Sequence, residues 1–186
     1  MNQRDALLTG AKRCLIDKGY SGTTARDIAA ASGAHLGSIG YHFGSKDRLM
    51  NLAALELTSE WGDALEVAVR AVGGDTPHQR LTALVTHLLQ RLPDSRDLQV
   101  AGLQAMAHAQ IDPEFRAQLA QRLVGARCEL AAVVLGIPEV TPGSAEEQGT
   151  GTLVYSLITG LVAQALVDPA TVRDPHALAA ALAALT

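Results

Sequence analysis

The chain has 186 residues, 48% hydrophobic and 3% aromatic, with a formal net charge of -4, which describes a soluble globular protein of one large or two small domains. Its cysteines, Cys14 and Cys128, stand in no metal-ligand or paired redox spacing, and both read as packing residues. Met1 to Asp5 is too polar to begin a signal peptide. Ala177 to Leu185 is too short to span a membrane, and the run from Leu153 to Val167 is broken by Ser156, Thr159, Gly160 and Gln164, so a cytoplasmic protein with no membrane partner is expected.

Helix signals succeed one another along the chain, and strand signals are scarce. The first helix carries Leu7, Ala11, Cys14 and Leu15 on one face. Thr23 or Thr24 can cap the second, with Asp27 in its first turn; Ile28 anchors it, Ala29 permits close helix approach, and Gly33 ends it in a sharp turn. A short helix follows, from about His35 or Leu36 to Tyr41 or His42. Its residues Ile39 and Phe43 share one face, and Ser38, Tyr41 and His42 another. Ser45 can cap a long helix from Lys46 to about Ala71, where Gly73 and Gly74 stop it. That terminus and the Lys46 ammonium can together hold a phosphate.

Further helices are predicted from Thr76 and Pro77 to Pro93, from Ser95 through Met106, and from Asp112 and Pro113 to Leu135. Ser144 and Glu147 form a capping box for one more, and Asp174 with Pro175 opens a last helix carrying Leu178, Leu182 and Leu185. The fold class is all-α, with about nine helices. Residues 1–50 hold seven Lys or Arg against four Asp or Glu, a net of +3, and the remainder holds eight against fifteen, a net of -7. A basic head on an acidic body fits a nucleic-acid contact confined to the head.

From Leu7 to about Leu49 the chain resembles the TetR family of one-component transcriptional regulators. Ala11, Gly19, Tyr20, Thr23, Thr24, Ile28, Ala29, Gly33, Ile39, His42, Phe43, Lys46 and Leu49 stand in the family's order and spacing. The resemblance implies a helix-turn-helix DNA-binding domain over 1–48 and a helical ligand-binding and dimerisation domain over 49–186. It departs from the family's pattern at Gly40, where an aromatic is usual, and at His35, where a small polar cap is usual. The residues expected at DNA are Thr24, Lys46 and His42 for phosphates, Ser38 and Tyr41 toward base edges or sugar, Gly37 for close backbone approach, and Leu36 toward a thymine methyl.

By the same resemblance the middle helices enclose a cavity for an unknown small-molecule effector. Its expected lining is Trp61, Leu65, Leu84, Leu88, Leu103, Met106, His108, Phe115, Leu123 and Cys128, with plain core as the competing reading for each. His87, Gln104 and His108 are polar anchors for a ligand, and the scarcity of aromatics favours a small aliphatic or acyl-like molecule. A homodimer is implied through Leu153, Leu157, Gly160, Leu161, Leu178 and Leu182, with cover for the monomer's own core as the alternative. Ligand binding would lower affinity for a palindromic double-stranded operator.

No enzyme is expected. Gly33, Gly37 and Gly40 do not follow a strand, the six histidines are scattered, and no metal, cofactor or nucleophile-elbow pattern is present. The alternative is a helical protein-binding adaptor without DNA binding, using Tyr41 and His42 as its partner surface.

Overall fold

The computed structural model describes the backbone of residues 2–172 with 174, 177, 178, 180, 181 and 184, and their side chains except at 61, 63–72 and 171. These residues form eight α-helices and no strand: α1 (Gln3–Gly22), α2 (Ala25–Ser32), α3 (Gly37–Phe43), α4 (Lys46–Val72), α5 (Pro77–Arg91), α6 (Arg96–His108), α7 (Pro113–Leu135) and α8 (Thr152–Val167). The all-α expectation holds. The ninth helix, expected from Asp174, lies largely outside the described residues, Leu182 and Leu185 included. Two compact units result, Met1–Glu60 with Asp97–Leu119, and Trp61–Arg96 with Ala120–Thr186.

In the first unit, Leu7, Leu15, Ile28, Leu49, Met50 and Phe115 are fully buried. Cys14 is also buried, as expected, and burial pushes its thiol above the ordinary range. The small residue that sets the α1–α2 crossing is Gly10 rather than Ala29. A Cβ at Gly10 would lie 2.9 Å from the Ser32 Cβ and 3.1 Å from the Ile28 carbonyl, so any side chain there would force the helices apart.

In the second unit, Leu84, Val85, Leu88 and Leu89 of α5 pack with Val133 and Val134 of α7 and with Val154, Ile158, Leu161 and Val162 of α8. Leu161 was expected at a dimer interface but turns inward, 8% exposed. Its spacing explains this: Val154, Ile158, Leu161 and Ala165 fall on one helical stripe, whereas Leu153, Leu157, Gly160, Gln164 and Val167 fall on another.

The start of α8 also departs from expectation. Ser144 accepts a bond from the Glu147 amide at 3.3 Å, which is half of the predicted capping box. The Glu147 carboxylate does not complete it, because it bonds Arg127 Nε at 2.5 Å and accepts from the Gly143 amide at 3.1 Å. Arg127 holds the buried Glu147 carboxyl below the usual carboxylate range. The chain then forms a single wide turn over Glu147–Gly151 before α8 proper. A Cβ at Gly151 would meet the Arg127 carbonyl at 2.4 Å, so only glycine fits this approach to α7.

Arg80 fastens the other end of α7. Its guanidinium donates to the Val134 carbonyl at 2.8 Å, the Leu135 carbonyl at 2.9 Å and the Gly74 carbonyl at 2.7 Å. The first two are acceptors that a helix C-terminus leaves without intrahelical partners, and a cation there also opposes the helix dipole. Arg80→Ala should destabilise the protein by about 2 kcal/mol, since charged hydrogen bonds are lost and carbonyls left unpaired. Arg80→Lys should fall between the two, because a point ammonium cannot make the forked contact. Urea denaturation checks this; an unchanged midpoint in Arg80→Ala would show that the fork carries no stability.

Candidate nucleic-acid interface

The turn between α2 and α3 is built from local capping. Thr24 accepts from the Asp27 amide at 3.2 Å while Asp27 accepts from the Thr24 amide at 2.8 Å and from its hydroxyl at 2.6 Å, a complete capping box. Lys18 pairs with the other Asp27 oxygen at 2.5 Å. The Lys18 bond, joined by those from Thr24, drives the Asp27 carboxyl far below the ordinary carboxylate range. Thr23 is buried, its hydroxyl bonded to the Cys14 and Gly19 carbonyls at 3.1 and 2.7 Å. Gly33 closes α2 at φ 68°, in the left-handed region expected of it.

α3 is seven residues long and opens without a side-chain cap; the Ser38 amide bonds back to the His35 carbonyl at 3.0 Å. Ile39 is its buried anchor, whereas Leu36 is 48% and Tyr41 86% exposed. Ser38 and His42 are half-buried, and the His42 ring meets Tyr41 edge-on at 4.9 Å. Gly37 and Gly40 are exposed, and a Cβ at either would meet nothing within 4 Å. Neither has a positive φ. The fold therefore does not require glycine there, although each glycine costs about 1 kcal/mol of helix stability relative to alanine.

Ser45 caps α4 through the Arg48 amide at 3.1 Å, as the sequence predicts. Lys46 is half-buried: its ammonium donates to the Thr23 carbonyl at 3.3 Å and pairs with Asp47 at 3.1 Å. Arg26 was not singled out in the sequence, yet it stands exposed in the first turn of α2, two residues from the buried Ile28 and so on the opposite side of the helix. Its signal was available: an Arg two places before a helix's apolar anchor points away from the core.

The expected ligand-lining residues are divided between the two units. Leu84 and Leu88 belong to the α5–α7–α8 core, and Cys128 packs with Ala131, Ala132 and Val140. Phe115 and His108 surround Tyr20 in the first unit, with centroid distances of 6.5 and 3.9 Å. Gln104, expected as a ligand anchor, accepts from the Tyr20 amide at 3.0 Å. Leu103, Met106 and Leu123 are half-buried, and the side chains of Trp61 and Leu65 lie outside the described residues. A groove of about 510 Å3 runs instead along α5, past Thr82, Thr86, His87 and Gln90. Of these, only His87 was named from the sequence as a polar anchor.

On α8, Leu153 is 72% and Val167 89% exposed, with Leu157 and Gly160 half-buried between them. Leu157 and Leu178 both pack against the edge of the second unit's core. The stretch Glu147–Val167 is 21 residues and is long and apolar enough to cross a membrane by length and composition alone, more so than the polar interruptions in its sequence suggested.

Comparison with known proteins agrees with this geometry. Residues 7–53 match the family described as bacterial regulatory proteins, tetR family, and residues 77–186 match the C-terminal region of BetI-type transcriptional repressors. The HTH-type transcriptional repressor AcnR of Corynebacterium efficiens is 31% identical over 118 residues, 63% of this chain and 56% of that protein. The HTH-type transcriptional regulator BetI of Stenotrophomonas maltophilia is 30% identical over 83 residues, 45% of this chain and 42% of that one. The chain thus spans about half the length of these relatives. Among solved structures, a transcriptional regulator from Rhodococcus sp. Rha1 superposes with a TM-score of 0.70 at 24% identity, covering 97% of this chain and 92% of that chain. A TetR family member from Streptomyces coelicolor A3 gives 0.73 at 22%, covering 100% and 98%; at these identities the likeness is one of fold. With one profile on the head and a second over more than half of its length, the chain belongs to the TetR family of bacterial regulatory proteins.

Proposed function

We propose that this chain is a transcriptional repressor, not an enzyme, that binds an inverted-repeat operator as a homodimer and releases it when a small molecule occupies the second unit. The observation that carries this reading is α3: one buried anchor, Ile39, beneath an exposed surface of Leu36, Gly37, Gly40 and Tyr41. Leu36 and Tyr41 reach base edges or sugar, Ser38 and His42 flank them, and Thr24 and Lys46 take phosphates. Gly37 lets the helix backbone approach the duplex. Arg26 adds a cation at the exposed start of α2.

The outward stripe of α8 supports the dimer. Leu153, Leu157 and Val167 are apolar and at least partly exposed, with Gly160 among them, and a second copy of the stripe would cover them across a twofold axis. The domains assigned from the sequence, 1–48 for DNA and 49–186 for ligand and dimer, divide the work accordingly, and α4 runs through both. Ligand and operator then weaken each other's binding by one common factor, as linkage requires. A soluble cytoplasmic location follows from access to DNA.

Selection from random duplex DNA, followed by titration at several salt concentrations, should yield an inverted repeat bound with a steep salt slope. Lys46→Ala should reduce that slope by about one unit, as expected for one lost phosphate contact. An absence of enriched sequence would favour the adaptor reading. Gly37→Ala should raise the melting temperature, worth about 1 kcal/mol, yet weaken operator binding; unchanged affinity would remove the close-approach role. Leu153→Glu should give a monomer in sedimentation and abolish tight binding to the two-half-site operator, and a variant that stays dimeric would place the interface elsewhere.

A further inference from the structure

We propose that Gln104 of α6 is a positioning residue for DNA binding, acting through the peptide unit between Gly19 and Tyr20 to place the start of α2 and the Lys46 ammonium. α1 is interrupted at Gly19, whose φ of 72° and ψ of 177° lie in a region that residues with a side chain rarely adopt. That one peptide unit is held from both sides. The Tyr20 amide donates to Gln104 Oε1 at 3.0 Å, and the Gly19 carbonyl accepts from the buried Thr23 hydroxyl at 2.7 Å. A Cβ at Gly19 would lie 2.6 Å from Gln104 Oε1, so glycine supplies both the turn and the room for the amide to close on it. His108, four residues further along α6, stacks its ring on Tyr20 at a centroid distance of 3.9 Å, so α6 grips backbone and side chain together.

From this peptide unit the constraint reaches the helix-turn-helix in two short steps. Thr23 carries the hydroxyl that holds Gly19, and its own carbonyl accepts from Lys46 Nζ at 3.3 Å. The next residue, Thr24, is the N-cap of α2. With Thr23 as its sole partner the peptide unit could turn about the Gly19 backbone bonds, because glycine has no side chain to restrict them, and Thr23 and the α2 cap would turn with it. Gln104 removes that freedom by fixing the amide side. An ammonium has three donors. Thr23 and Asp47 engage two of those on Lys46, the third suits a phosphate, and the Thr23 carbonyl fixes its direction.

That Lys46 meets a phosphate belongs to the repressor reading, and this inference rests on it. The full chain is titrated with its selected operator at several salt concentrations, well below the melting transition of each variant. Gln104→Met keeps the length of the side chain and removes the acceptor; it should weaken operator binding about tenfold, the value of one charged hydrogen bond, and make the salt slope shallower by about one unit. Adding Lys46→Ala should then cost little more, because both changes remove the same phosphate contact. Gln104→Glu keeps the acceptor and should restore the affinity. A residue that only stabilises the head would lower the melting temperature and leave the affinity and slope of the folded protein unchanged. Thr23→Val removes the hydroxyl on the other side of the peptide unit, should reproduce the loss, and carries the test if Gln104→Met does not fold. In isotope-labelled protein without DNA, the Thr24 amide and Lys46 Cε signals should shift in Gln104→Met and return in Gln104→Glu. Unchanged affinity and slope in Gln104→Met, a loss that adds in full to that of Lys46→Ala, or Thr24 and Lys46 signals that do not move would overturn the proposal. An unchanged slope in Lys46→Ala alone, or failure to select an operator, would instead remove the phosphate role or the repressor reading, and the shifts without DNA would then decide whether Gln104 places Thr24 and Lys46.

Discussion

Tyr20 lies buried at the end of α1, where its hydroxyl donates to the Asn51 side-chain oxygen and sits 3.3 Å from the Asp47 carbonyl. Asn51 in turn donates to Asp112 at 3.0 Å, and the second Asp112 oxygen caps α7 through the Phe115 amide at 2.9 Å. The Tyr20 ring stacks on His108 of α6, and its amide is held by Gln104. One phenol thus ties the end of α1 to α4, α6 and α7. Burial, reinforced by the Asp47 and Asp112 carboxylates, pushes its pKa upward, so the hydroxyl remains a donor. A helix-turn-helix of this size buries little apolar surface alone, and α6 with the start of α7 supplies what it lacks. The orientation of α3 rests on that shared interior.

The same economy governs the charges of the head. Lys12 pairs with Glu56 and Glu60 at 2.7 and 2.5 Å, Lys18 with Asp27, and Lys46 with Asp47, while Arg4 lies 5.3 Å from the centroid of the Phe43 ring. Several cations that make the head basic are therefore occupied in holding it together. These pairs occupy the cations within the head, so the +3 excess measures what a duplex can draw on only loosely. Gly37 and Gly40 lower helix stability without easing any steric contact in the fold.

In the second unit the outward side of α8 leaves Leu153 and Val167 exposed to solvent. An apolar cavity was expected from the family resemblance; the groove along α5 is lined by Thr82, Ala83, Thr86, His87 and Gln90, which lie off the stripe that α5 gives to the core.

What the sequence by itself determined is whatever acts over three or four neighbouring residues. The Thr24–Asp27 box, the Gly33 stop, the Ser45 cap of α4 and the Asp112 cap of α7 were all legible, because a cap and the amide it satisfies lie within one turn. The family was legible too, from the order of residues between Leu7 and Leu49. Tertiary structure alone decided which apolar stripe of α8 faces inward, since the stripes of Val154, Ile158 and Leu161 and of Leu153, Leu157 and Gly160 both show helical spacing and the α5 and α7 surfaces select between them. It also gave Gln104 and His108 to Tyr20 rather than to a ligand, and diverted Glu147 from its cap to Arg127. These pairings join residues from 20 to 88 positions apart. Helical periodicity reports that a face is apolar or polar; which partner reaches it depends on how distant segments pack, and no local spacing encodes that.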